Sequence, residues 1–227
     1  MSLRILMVCQ HYWPEQFQIT DICEELVRRG HEVTALVGIP NYPTGVVPDE
    51  YLDGRSREQE RNGVRIVRAE EVPRKPGVIG LARNYWSYMR GADRRLRDLE
   101  GRYDVILAYQ LSPVLMVEPA MRAKRLFGAP VLLYCADIWP DAVRAMLPDR
   151  LSFLAPAVSA VSTWIYRGAD AIAHQLTRLH RLLRAGPRGR ALALPLRSAV
   201  RGRLLPGHGP VRRVVGQGAV YGHGQYR

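Results

Sequence analysis

The stretch LRILMVCQHYWPEQFQITDICEELVRRGHEVTALV, residues 3–37, decides the fold. Leu3 to Cys9 is a short apolar run of the kind that fills a strand buried on both faces. After a loop from His11 to Phe17, the apolar residues Ile19, Ile22, Cys23, Leu26 and Val27 recur at helical spacing. Arg28 and Arg29 place cations in the last turn of that helix, and Gly30 is its stop. His31 to Val37 then reads as a second strand. Strand, loop, helix, Gly and strand in this order make a βαβ unit with parallel strands, which predicts a doubly wound, Rossmann-like α/β sheet with helices on both faces.

The neighbouring stretches extend the same pattern. Gly38 to Gly54, rich in Gly, Pro and Tyr, reads as a long irregular loop at the carboxyl end of the second strand. Gly63 to Ala69 alternates with period two and predicts a third strand. Val78 to Leu99 predicts a long helix in which Arg83, Arg90, Arg94, Arg95 and Arg97 are interleaved with Tyr85, Trp86 and Tyr88. Further strands are predicted at Asp104–Tyr109, Pro130–Cys135 and Ala169–Ala173, and helices at Pro113–Phe127, Ala142–Met146 and Leu151–Arg167. No internal repeat interrupts this alternation.

Charge divides the 227-residue chain in two. All 21 acidic residues lie in the first 170 positions, whereas Ala171–Arg227 holds eleven Arg, no Lys and no acid. The tail therefore supplies +11 of the net +12, and the body is close to neutral, which weakens the nucleic-acid or anionic-membrane reading that a pI of 10.2 would otherwise invite. Cys9, Cys23 and Cys135 have no CxxC spacing and no His cluster, so reduced, partly buried thiols in a cytosolic protein are expected, without disulfide or zinc. The apolar run Ile5–Cys9 is too short for a secretory leader, and Leu151–Tyr166 is too short and too rich in Ser, Thr and Pro for a membrane span.

Ligands of open parallel sheets gather outside the carboxyl ends of the strands, which directs attention to four loops. These are Gln10-His11-Tyr12-Trp13-Pro14-Glu15, Gly38-Ile39-Pro40-Asn41-Tyr42-Pro43, Tyr109-Gln110-Leu111-Ser112-Pro113 and Asp137-Ile138-Trp139-Pro140-Asp141. Glu15, at a helix entry, would contact a ligand or complement the helix dipole. Tyr42 and Trp139 would stack on a ligand or pack internally. His31 belongs to a helix-to-strand turn, while His11 falls on the expected ligand side.

The runs QHYWPEQFQITDICEELVRRGHEVTALVGIPNYPTG, VPRKPGVIGLARNYWSYMR, YDVILAYQLSP and CADIWPD together resemble the amino-terminal half of bacterial family 4 glycosyltransferases, and most of all the amino-sugar transferases of surface-polysaccharide assembly. The resemblance covers residues 3–173. It implies a GT-B architecture with an acceptor-side domain at 1–173, a second domain that binds a nucleotide-sugar donor, retention of anomeric configuration, and neither a metal nor another cofactor. Asp137 stands where many relatives place a His near the donor sugar. It is the candidate catalytic residue, holding a sugar hydroxyl or stabilising developing positive charge, with helix capping as its alternative role. His11, Trp13, Glu15, Asn41, Tyr42, Tyr109, Trp139 and Asp141 are the candidate acceptor-binding residues. Arg83, Trp86 and Arg90 would meet a membrane surface carrying a lipid-linked acceptor, at the cytoplasmic inner face, unless the helix merely turns a solvated Arg face outward.

The family's donor half should follow the last strand, with a carboxylate for the ribose hydroxyls, yet Glu118 is the last Glu. Residues 174–227 instead form an Arg, Gly and Pro-rich tail, expected to be out of frame and disordered. Codons for His174-Gln175-Leu176-Thr177-Arg178-Leu179-His180-Arg181-Leu182-Leu183 can be chosen so that reading one base later gives Ile-Ser-Ser-Pro-Gly-Phe-Thr-Asp-Tyr-Phe, a segment of the kind that similar transferases carry there. The rival reading is a non-enzymatic module whose basic tail contacts nucleic acid or membrane. A genuine nucleic-acid tail would mix Lys with Arg and interleave aromatics, and this one has only Tyr221 and Tyr226. Sequencing the coding DNA from codon 165 through the bases past the stop tests the frame. The expected result is a shifted frame running on into a second Rossmann-like domain with its donor-binding carboxylate; a confirmed frame with nothing recognisable downstream would overturn it.

Overall fold

The computed structural model describes residues 2–136 and 155–174. The elements are β1 (Arg4–Val8), α1 (Gln18–Arg28), β2 (Glu32–Val37), a 3-10 turn (Asp49–Gly54), β3 (Glu58–Arg61), β4 (Val64–Arg68), α2 (Val78–Asp98), β5 (Val105–Gln110), a second 3-10 turn (Val114–Val117), α3 (Glu118–Phe127), β6 (Val131–Cys135), α4 (Ala155–Gly168) and β7 (Ala171–His174). The predicted helix at Ala142–Met146 and the start of the one at Leu151–Arg167 lie outside the described residues, as does the tail beyond His174.

The strands form one seven-stranded sheet in the order β3-β4-β2-β1-β5-β6-β7. Every pairing is parallel except β3 with β4. Leaving β3 aside, the parallel strands follow the Rossmann order 3-2-1-4-5-6, with the direction of winding reversing at β1. Ile5 sits opposite Val33 on one side and Val105 on the other, so β1 is central and is apolar throughout after Arg4. Leu6, Met7, Val8 and Cys9 are fully buried, as a strand covered on both faces requires.

Local chemistry explains the elements. α1 buries Ile19, Thr20 and Cys23, and Gly30 follows it with φ of +87°, the left-handed conformation that ends helices. His31 sits at the predicted turn, its Nδ1 accepting the Leu3 N–H at 3.2 Å. All three cysteines are buried, and none forms a disulfide. Burial pushes the Cys23 thiol up to about 12 and Cys9 higher still, which keeps both protonated and unreactive.

Three expectations need correction. The stretch Gly38–Gly54 is not irregular throughout, because Asp49–Gly54 winds into a 3-10 turn that buries Tyr51. The predicted helix Pro113–Phe127 is two pieces, a 3-10 turn and α3, since Pro119 has no N–H to continue a helix begun at residue 114 and instead takes a first-turn position in a new one. The edge strand β3 is an addition. Its residues Glu58-Gln59-Glu60-Arg61 carry no apolar signal, but Asn62 and Gly63, with φ of +47° and +78°, form the two-residue turn that folds β3 back onto β4.

Candidate functional site

The loops after β1, β2 and β4 meet at the carboxyl edge of the sheet and are held by buried polar groups. Glu15 is the hub of the first two loops. Its Oε1 accepts the backbone N–H groups of Asn41 at 2.8 Å and Tyr42 at 2.7 Å, and its Oε2 lies 2.9 Å from His11 Nδ1. The Glu15 and His11 side chains keep only 6% and 4% of their surface. The His11 ring stacks on Phe17 at 5.2 Å and meets Tyr42 at 5.1 Å. Both oxygens of Glu15 are thus engaged, and its geometry is that of a residue that positions the second loop.

A second carboxylate, Glu71, occupies the interior of the same site. It accepts from Gln10 Nε2 at 2.8 Å and from Asn41 Nδ2, while Gln10 Nε2 also donates to Asn84 Oδ1 at 2.9 Å. Asn41 Nδ2 donates to the Ile39 carbonyl at 2.7 Å, and Asn41 Oδ1 accepts the Arg74 N–H at 3.0 Å. A Cβ at residue 38 would sit 2.8 Å from the Gln10 carbonyl and 2.9 Å from the Glu71 oxygens, so only Gly38 lets these three segments close up. Desolvation by burial raises the Glu71 carboxyl well above its ordinary 4.5, against the lowering effect of the Gln10 and Asn41 hydrogen bonds.

The rim is aromatic and basic. Tyr42 is 46% exposed, and the Arg74 guanidinium lies 5.4 Å from its ring centre and 3.5 Å from the Tyr85 hydroxyl. Arg74 makes no ion pair among the described residues. Such a rim offers one ring face and one free cation to a bound polar molecule.

The structure therefore brings His11, Glu15, Asn41 and Tyr42 together. Trp13 lies beside them, its carbonyl accepting from Arg68 at 2.7 Å and its ring covered by the Arg61 guanidinium at 4.6 Å. Tyr109 is buried and stacked on Tyr134 at 5.1 Å, within the sheet layer. Asp137, Trp139 and Asp141 lie outside the described residues. Arg83, Trp86 and Arg90 share an exposed stripe of α2, with Trp86 62% exposed. Gln10, Glu71, Arg74 and Asn84 are additions to the site. The sequence signal for Glu71 was the adjacent pair Glu70-Glu71 at the end of a strand, a placement shared by many solvated loop carboxylates. Among the described residues, no group of three or more His, Cys, Asp or Glu is placed to hold a metal ion, and no helix is long and apolar enough to cross a membrane.

A Rossmann-ordered α/β domain with a polar site at the carboxyl ends of β1, β2 and β4 belongs to the class of ligand-binding α/β domains. Within that class the family is shown: residues 16–214 match the glycosyl transferase 4-like domain, and the chain belongs to that family. No curated protein matches it. Among solved structures, the chain is similar to the C-terminal domain of a Pyrococcus furiosus hydrogenase, with 21% identity, TM-score 0.40, and coverage of 57% of this chain and 89% of that one. It is also similar to the calicheamicin glycosyltransferase CalG4, with 14% identity, TM-score 0.40, and coverage of 81% of this chain and 41% of that one. The chain thus spans less than half the length of that glycosyltransferase.

The Glu71 environment gives a pH signature. With its native value raised, the folded chain keeps a proton that the unfolded chain releases, so this contribution to stability is complete below about 4.5 and is lost as pH rises through the native value. Urea unfolding at about pH 5 and about pH 8 should show Glu71→Gln gaining stability relative to the parent at the higher pH. A difference that is the same at both pH values would contradict the assignment.

Proposed function

We propose that this chain provides the acceptor-binding half of a retaining glycosyltransferase of GT-B type. The transferred sugar comes from a nucleotide diphosphate donor, held by a second domain, and passes to a lipid-linked or glycan acceptor during bacterial surface-polysaccharide assembly. The observation that supports this reading best is the family match over residues 16–214, on a chain whose strand-end loops are already locked into a polar site.

In this reading each residue has a limited task. Glu15 and Glu71 hold the loops. The Tyr42 ring offers a face to an acceptor sugar, and Arg74 meets an anionic or strongly polar part of the acceptor. Contact with the donor sugar, where positive charge develops at the anomeric carbon as the leaving phosphate departs, is the role assigned to Asp137. No metal or other cofactor is assigned a part.

The α2 stripe supports a place at the inner membrane face. Ile79, Arg83, Trp86, Arg90, Arg94 and Arg97 follow one another at spacings of three and four residues, and all six are exposed. Arg83 and Arg90 have no carboxylate partner among the described residues, which leaves them available to lipid phosphates, and Ile79 and Trp86 suit the interfacial layer.

Binding of a polyprenyl-linked monosaccharide in detergent micelles, and of a nucleotide sugar, tests the division of labour. The chain should bind the first and not the second, with Tyr42→Ala and Arg74→Ala each weakening acceptor binding about tenfold. Nucleotide-sugar binding by this chain alone would contradict the reading. Salt-sensitive RNA or DNA binding that is lost on deleting 175–227, with no acceptor binding, would favour the basic-module alternative.

A further inference from the structure

On the side of α2 that faces the β3–β4 hairpin lies a cavity of about 320 Å³ lined by Arg57, Arg68, Arg94, Arg95, Glu70 and Asp98, with Gly91 at the α2 backbone. Four guanidiniums face two carboxylates. The carboxylates are at the exposed mouth, where Glu70 pairs with Arg94 at 3.3 Å and Asp98 with Arg95 at 3.6 Å, their side chains 62% and 65% exposed. Arg95 also pairs with Glu58 at 2.9 Å. No carboxylate reaches ion-pair distance of Arg57 or Arg68 among the described residues.

Those two cations set the character of the cavity. Arg68 is 1% exposed, and its guanidinium is held only by neutral groups. Nε donates to Gln59 Oε1 at 3.1 Å, Nη1 to the Gly38 carbonyl at 3.1 Å and Nη2 to the Trp13 carbonyl at 2.7 Å, with the Tyr51 ring 4.7 Å away. Arg57 Nε and Nη1, and Arg95 Nε, are buried donors with no hydrogen-bond partner. A buried cation with no carboxylate at ion-pair distance and buried donors without acceptors are each costly, and one bound anion would relieve both. Guanidinium groups presenting parallel N–H donors match phosphate oxygens, and the volume exceeds what a single small ion needs.

We propose that this cavity is a binding site for a phosphoryl anion, of the size of a diphosphate or a small phosphate ester, recognised by Arg57 and Arg95 under the field of Arg68. The site is separate from the rim formed by Tyr42, Arg74 and Tyr85, and it does not depend on sugar transfer. Arg68 links it to the loops described above, because the same guanidinium that lines the cavity holds the Trp13 and Gly38 carbonyls in place.

Calorimetric titration of the full chain with inorganic pyrophosphate tests the site, beside thermal unfolding of the unliganded protein. Arg57→Met, alone and with Arg95→Gln, should weaken pyrophosphate binding by about tenfold or more. In the unliganded protein Arg57→Met should leave the melting temperature unchanged or raise it, because it removes buried donors that have no partner; a purely structural Arg57 would lower it. Glu70→Gln, which removes a negative charge at the mouth, should tighten binding severalfold, and Arg102→Gln, at an exposed position away from the cavity lining, should leave it unaltered. Retention on phosphatidylcholine vesicles containing phosphatidate separates the sources. If Arg57→Met reduces this as well, the anion is carried on a lipid; if only pyrophosphate binding falls, it is a soluble one. No pyrophosphate binding, or binding that survives Arg57→Met with Arg95→Gln and so belongs to other arginines such as those of the tail, would overturn the proposal.

Discussion

The site depends on one buried carboxylate. Glu15 Oε1 takes two consecutive backbone N–H groups from the loop after β2 while Oε2 meets His11 from its own loop, so a single side chain ties the exits of two adjacent strands. Hydrogen bonds to an ionised acceptor are worth about 1.5–3 kcal/mol each, whereas a buried N–H left without an acceptor costs about 1–3 kcal/mol. Both magnitudes favour one loop conformation. Asn41, fixed through its backbone by Glu15, is then aimed at Glu71 and the Arg74 N–H, and the placement of the Tyr42 and Arg74 rim follows.

Arg68 is the counterpart on the other side of these loops. Its guanidinium reaches the carbonyls of Trp13 and Gly38, so an anion on one side and a cation on the other fasten the same two segments through their backbone groups. Burial pulls the Arg68 guanidinium below its ordinary value. The near-neutral body thus hides a strongly uneven charge distribution. Glu15 and Glu71 hold the strand-end loops, Arg57 and Arg68 line the cavity beside β3 with no carboxylate at ion-pair distance among the described residues, and Arg83 and Arg90 face outward on α2.

Much of this was legible in the sequence. Residues 3–37 announced β1, α1 and β2 because apolar periodicity, basic residues and Gly30 all agreed at the boundaries. The rule that ligands gather at carboxyl ends of strands brought His11, Glu15, Asn41 and Tyr42 into view before their geometry. What the sequence could not assign was which atoms of those residues do the work. Glu15 reads as a ligand contact or a helix-dipole residue, and only the fold shows that the backbone N–H groups 26 and 27 residues away claim its Oε1. Glu70 and Glu71 are chemically identical neighbours, yet one is exposed beside Arg94 and the other is wrapped by amides. Strand β3 escaped because its pairing rests on backbone hydrogen bonds and a turn, with no apolar face of its own, although Asn62-Gly63 was a readable hairpin signal.

Amide hydrogen exchange in the parent and in Glu15→Gln measures the central interaction directly. The Asn41 and Tyr42 amides should exchange at least about tenfold faster in the variant, while amides of β1 and β2 such as Met7 and Ala35 keep their protection. Unchanged exchange at Asn41 and Tyr42, or an equal acceleration throughout the sheet, would contradict the claim that Glu15 holds the site together.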